Sequence, residues 1–192
     1  MVHPNIKLVV SRPSAADLLP AHTPRAIEAF FDHWLSLPRE GLVPTLQDYL
    51  DHAPPRLQPF VAIAEVTSPT EMRVRLMGTG YVDLVGRDAT GARLSPLYAA
   101  PIRERMSSAV WQLVTRPVGY LCVRSIRTFG GRLVESPSIC LPLVGRDGGA
   151  KFILTYGLVS PDNHGLAETE LFHLTLDWTL TAWLNLGAGV PE

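Results

Sequence analysis

Arg124 follows Cys122 by two residues and Tyr120 by four, so in an extended segment all three side chains point to one face. A guanidinium among thiols and phenols is a recognition set. It can hold an anionic ligand, but an arginine alone supplies no acid or base for catalysis. Cys122 and Cys140 are the only two cysteines, and they match neither a disulfide framework nor a CxxC zinc site. Asp51-His52 pairs an acid with an imidazole, yet side chains adjacent on a helix point apart, and an exposed helix end is the simpler reading. His164 and His173 have no acid or cysteine at metal-ligand spacing. The run Gly78-Thr79-Gly80, followed by Gly86 and Gly91, is glycine-rich without a GxGxxG or a Gly-Lys-Ser/Thr, so it is not a phosphate cradle. Catalysis needs convergent polar groups. The faces expected to point inward carry almost none, and the expectation is a protein that is not an enzyme.

The elements that must position these residues follow from periodicity. Three strand-like runs, Val118 to Thr128, Leu133 to Val144 and Lys151 to Ser160, are separated by the hairpin signals Gly130-Gly131 and Asp147-Gly148-Gly149. Setting Cys122 opposite Cys140 places Leu121 against Leu141 and Val123 against Ile139, with the aliphatics on one face and both thiols on the other. A disulfide is disfavoured, since directly paired strand positions give poor bridge geometry and a reducing compartment keeps thiols free. Upstream, Phe60 to Val66 is β-rich, and Met72, Val74 and Leu76 alternate with Arg73 and Arg75, which predicts an antiparallel pair. Pro101 to Thr115 predicts a helix with Ile102, Met106, Ala109, Val110 and Leu113 on one face, stopped by Pro117.

The ends of the chain read as coverings. Residues 1–22 form an arm, with an extended piece at Ile6 to Val10. A helix over 23–37 starts at Thr23-Pro24, with the threonine as N-cap, and its apolar stripe is Ile27, Phe30, Phe31, Trp34 and Leu35. Thr45 to His52 predicts a short capped helix. A C-terminal helix is expected over 166–187, with Leu171, Leu174, Trp178 and Ala182 on one stripe and Phe172, Leu176, Leu180 and Trp183 on another. One stripe covers the sheet, and the second requires another partner.

At 192 residues the chain suits one globular unit, with 38–160 as its central domain. Hydrophobic residues at 46% against 18% charged are enough to bury a core, which excludes a disordered tail. A net charge of -1 supplies no field for a phosphate backbone, so nucleic acid is not an expected partner. No signal-peptide h-region and no membrane-spanning apolar run is present, and a cytoplasmic location is expected.

Two strands, a helical section and three further strands resemble the PAS fold. The fold class expected is therefore α+β: a PAS-like five-stranded antiparallel sheet with helices on one face, flanked by N- and C-terminal helices. Arg73, Arg75, Gly78 and Thr79, then Gly86, Arg87, Asp88, Thr90 and Gly91, and later Leu141-Pro142-Leu143, resemble runs of a bacterial subfamily of short single-domain PAS proteins. The likeness spans roughly residues 25 to 160. It implies a sensor of ligand, light, redox state or partner. The light-sensing flavin class needs an Asn-Cys motif, and no cysteine lies between Gly78 and Pro117. The haem class needs an axial histidine on the long helix, and Pro101 to Pro117 has none, so haem and covalently bound flavin are disfavoured and the cofactor is unknown.

The expectation is a stand-alone signalling domain that binds a small, largely apolar molecule between helix and sheet. Ile102, Met106 and Val110 face Tyr120, Cys122, Cys140 and Tyr156, with Tyr81 near the mouth and Arg124 reaching inward. The signal passes to a protein partner or through a homodimer. The alternative is a ligand-free interaction module that docks through terminal helices rich in Phe, Trp and Leu.

Overall fold

Alternation of apolar and small or polar residues along the strands gives the sheet two dissimilar sides, and each side is closed by a different helix. The computed structural model describes residues 13–85, 88–94, 98–127, 133–149, 151–158 and 175–191. Helices α1 (Ala15–Leu18), α2 (Arg25–Ser36) and α3 (Leu46–His52) come first, then strands β1 (Val61–Ser68) and β2 (Glu71–Met77). Helices α4 (Thr79–Val85) and α5 (Ala100–Thr115) precede β3 (Val118–Arg127), β4 (Leu133–Val144), β5 (Lys151–Gly157) and β6 (Thr175–Asn185). The sheet runs β2-β1-β5-β4-β3-β6, every neighbouring pair antiparallel.

On one side lies α2. Its Ile27, Phe30, Phe31 and Trp34 are each no more than 1% exposed, and they pack with Ile63, Leu121, Ile139, Leu141 and Leu154. Burying each such side chain contributes about 1.5–3 kcal/mol, so this stripe anchors the fold. Trp34 Nε1 donates to the Pro142 carbonyl at 3.2 Å, which satisfies the one polar atom of the indole. Thr23 does not cap α2; its hydroxyl donates to the Pro20 carbonyl, and Pro24 stands at the N-cap. Within the arm, Ala15 of α1 is buried and its N–H donates to Asp32 of α2. Residues 1–12, including the expected extended piece, lie outside the described residues. Thr45 caps α3 as expected, exchanging bonds with Asp48. Asp51 accepts from Gln47 and His52 Nδ1 bonds the Asp48 carbonyl, so that pair is occupied with its own helix.

On the other side lies α5, with Ile102, Met106, Ala109, Val110 and Leu113 buried against Ala64, Val66, Met72, Val118, Tyr120 and Ile153. Helices therefore cover both faces of the sheet, α5 on one and the N-terminal covering helix α2 on the other. The sheet also has six strands rather than five, because the C-terminal segment is not the expected helix. Thr175, Thr179 and Thr181 are β-branched and favour strand. Asp177, Thr179 and Thr181 are exposed while Trp178 is buried and Leu180 partly so, a period of two. Over 175–185, what read as parts of two helical stripes is one alternating strand at the edge of the sheet. Residues 166–174 of that expected helix lie outside the described residues.

The β3–β4 register also differs from expectation. Cys140 pairs with Tyr120 and Cys122 with Ser138, while Leu121 meets Ile139. The shift is two residues, which leaves every side chain on its expected face. A face argument cannot separate registers that differ by an even number.

The glycine run serves close approach rather than a reversal of direction. A Cβ at Gly78 or Gly80 would come under 3.0 Å from the short 3-10 turn at Gln58–Phe60. Gly91, at φ 86, does need a glycine, and its carbonyl accepts from Arg73. Asp88 accepts from the backbone and hydroxyl of Thr90, and Arg75 pairs with Glu65. Arg73 thus ties the loop to β2, Asp88 closes the turn within it, and Arg75 links β2 to β1. Gly86 and Arg87 lie outside the described residues.

Candidate ligand site

On the α5 side the strands present Tyr120, Cys122 and Arg124 from β3, Ser136, Ser138 and Cys140 from β4, and Thr155 and Gly157 from β5. α4 brings Tyr81 down onto them. Arg124 Nη2 donates to the Tyr81 hydroxyl and to Ser138 Oγ, each at 2.7 Å, and the guanidinium carbon sits 5.3 Å from the Tyr81 ring centre. Ser138 in turn donates to the Ser136 carbonyl at 3.3 Å, and Ser136 to the Leu158 carbonyl at 2.8 Å. Gly157 floors the cluster. A Cβ there would lie under 3.0 Å from the Tyr81 hydroxyl, Arg124 Nη2 and Ser138 Oγ together.

Arg124 Nε is buried and has no hydrogen-bond partner. The ion pairs among the described residues are Arg75–Glu65, Arg93–Glu71 and Arg105–Asp177, and none involves Arg124. Burial works against its cation, but the Tyr81 and Tyr98 phenols and the Cys122 thiol raise its pKa on balance. Arginine stays charged in any case. Burial also pushes the phenols of Tyr81, Tyr98 and Tyr120 upward, so all three are neutral at ordinary pH and do not balance that charge.

Cys122 and Cys140 are free and buried, on diagonal positions of adjacent strands. A hydrogen bond to Cys140, together with burial, raises the Cys122 thiol. For Cys140, burial is outweighed by hydrogen bonds from Cys122, Thr155 and Tyr120 and by Arg124, which lower its thiol. Tyr120 meets Trp178 and Trp183 edge-on at 5.9 and 5.7 Å, which fixes the ring between β6 and α5. Among the described residues no group of His, Cys, Asp and Glu is placed to hold a metal.

Seven of the expected site residues therefore share this side: Tyr81, Met106, Val110, Tyr120, Cys122, Arg124 and Cys140. Tyr156 does not. Thr155 pairs with Cys140 and Tyr156 with Ile139, so Tyr156 faces α2 and stacks on Phe30 at 4.5 Å. Tyr81 is 3% exposed, inside the cluster rather than at a mouth. Sequence reasoning missed Ser138 and Gly157. Ser138 shares parity with Cys140 and was there to be found; Gly157 carried no signal beyond its place two residues past Thr155.

A family model described as PAS domain matches residues 22–158. The chain belongs to the PAS domain family. The match ends beside the last residue of β5, so β6 extends this PAS sheet beyond the matched region. Membership makes the protein a sensor or signalling domain in the broad sense, of a kind that commonly binds small molecules and mediates partner contacts. No curated protein matches the chain. Among solved structures it is similar to an RNA-binding Light-Oxygen-Voltage receptor, with a TM-score of 0.43 and 16% identity over 76% of this chain and 46% of that one. The chain thus spans less than half the length of that receptor. No helix among the described residues of this PAS protein is long and apolar enough to cross a membrane.

Proposed function

We propose that this PAS domain is a sensor that takes up a small, largely apolar molecule between α5 and the sheet, and that occupancy is relayed to a protein partner or a second copy. One observation carries the reading: a partly buried guanidinium, its Nε fully buried and without a partner, stands beside the apolar residues under α5. An unsatisfied buried donor is costly, the more so on a charged group, and a ligand acceptor at Nε would offset that cost. The site works by binding rather than by chemistry. Among the described residues its polar members are a cation, neutral hydroxyls and two thiols, without a carboxylate or imidazole to move a proton. Two free buried thiols fit a reducing compartment, in keeping with a cytoplasmic protein.

The alternative module, docking through apolar terminal helices, loses its motive. Phe30, Phe31 and Trp34 are consumed by the chain's own sheet, and the C-terminal element is a strand of that sheet.

Native and denaturing mass spectra of the purified protein test the reading. The expected result is an added mass in the native spectrum that is released on denaturation and absent from Met106→Trp, whose larger indole would crowd the contact between α5 and the sheet. A Met106→Trp protein that folds and keeps the added mass would remove the molecule from this site.

A further inference from the structure

We infer that the molecule bound here is a monoanionic carboxylate on an apolar body, its head against Arg124. This rests on the ligand reading above and names the class of that ligand. The guanidinium gives Nη2 to two neutral hydroxyls and leaves Nε buried and unpartnered. The carboxylates that form ion pairs among the described residues are committed to Arg75, Arg93 and Arg105. Among the described residues no carboxylate pairs with this partly buried cation, a disfavoured state that a ligand anion would relieve. Nη2 spends both its hydrogens on those hydroxyls, so Nε is the donor left for a carboxylate oxygen, in a charge-assisted bond. Tyr81 accepts from Arg124 and keeps its own hydroxyl proton, raised in pKa by burial, to donate to the same head.

Charge and shape narrow the class further. Arg124 is the cation of this cluster, while Arg105 is engaged with Asp177 and Lys151 lies over the Trp111 ring at 5.9 Å. One positive charge balances a carboxylate, whereas a doubly charged phosphate would leave net charge buried. Beyond the head the wall is mainly apolar, with Met106, Val110, Ile153 and Trp178, and the Ser107 hydroxyl is the buried polar group of α5.

Calorimetric titration of the full chain with decanoate, phenylacetate and 1-decanol tests this. The two acids separate a flexible chain from a ring, and the alcohol removes the charge. At least one acid binds, the alcohol is weaker than decanoate by about 30-fold or more, and Arg124→Met loses a similar factor for the acid. Arg124→Lys, a point charge without the planar fork, falls between. Decanol binding as tightly as decanoate, with both lost in Met106→Trp, overturns the anionic head while the apolar site stands. Failure of all three probes, together with a purified protein free of any released mass, overturns both readings. Arg124→Met that retains decanoate at wild-type affinity also overturns the inference. If that variant does not fold, Tyr81→Phe must weaken decanoate more than decanol, and equal effects refute the proposal.

Discussion

The same strands build two interiors that differ by one residue of phase. Facing α2 stand Leu121, Ile139, Leu141, Leu154 and Tyr156, all apolar or aromatic and closed by Phe30, Phe31 and Trp34. Facing α5 stand Tyr120, Cys122, Arg124, Ser138 and Cys140, closed by the smoother aliphatic face of Ile102, Met106 and Val110. Hydrocarbon packing stabilises and discriminates little, whereas a buried cation discriminates and stabilises little. On the proposed function, one sheet separates the work of holding the fold from the work of recognition.

Substitutions on the two sides should diverge accordingly, and the largest effect belongs to the α2 side. Phe30→Ala removes a fully buried ring stacked on Tyr156 and is expected to cost about 3–5 kcal/mol in denaturant titrations. A loss below about 1 kcal/mol would mean that the α2 side is not the anchor. On the α5 side the sensitive position is the floor. Gly157→Ala pushes a methyl into Tyr81, Arg124 and Ser138 and should cost about 1–3 kcal/mol, seen as a lowered Tm. An unchanged Tm would show that the polar cluster does not rest on Gly157.

Arg124→Met sharpens the contrast from the opposite direction. Replacing a buried, poorly paired charge by a flexible apolar side chain is expected to change stability by less than about 1 kcal/mol, or to raise it. Strong destabilisation would mean that the guanidinium is structural, and the two sides would no longer differ in kind.

The smallest effect is a pH slope on the α2 side. Burial, with some repulsion from His52, lowers the pKa of His33 below its ordinary 6.5, so the unfolded chain binds more protons below that pH. Stability conferred by neutral His33 is therefore full above about pH 7 and declines as pH falls through 6.5 toward the folded pKa. The slope is shallow because the side chain is only half-buried. His33→Gln should flatten it in stability measurements between pH 7.5 and about 5.5; an identical slope would assign it to another group.

Much of this was legible in the chain. The stripe of α2, the face of α5, the cap at Thr45 and the shared face of Cys122 and Arg124 all follow from local periodicity, which neighbours in sequence impose on each other. The C-terminal strand was legible too, in the polar alternation of Thr175, Asp177, Thr179 and Thr181, but apolar residues elsewhere in 168–186 also satisfied a helical period.

What periodicity cannot carry is the relation between distant segments. The β3–β4 register slipped by two without changing a face, and the side taken by Tyr156 depended on its pairing with Ile139 across β4 and β5. Ser138 and Gly157 join Tyr81 and Arg124 only because four separate elements converge there. The sequence by itself determined which residues could lie on a common face, since alternation is a property of the backbone. Only the tertiary structure decided which faces meet, because hydrogen-bond register and the room left by an absent Cβ exist only between strands already in place.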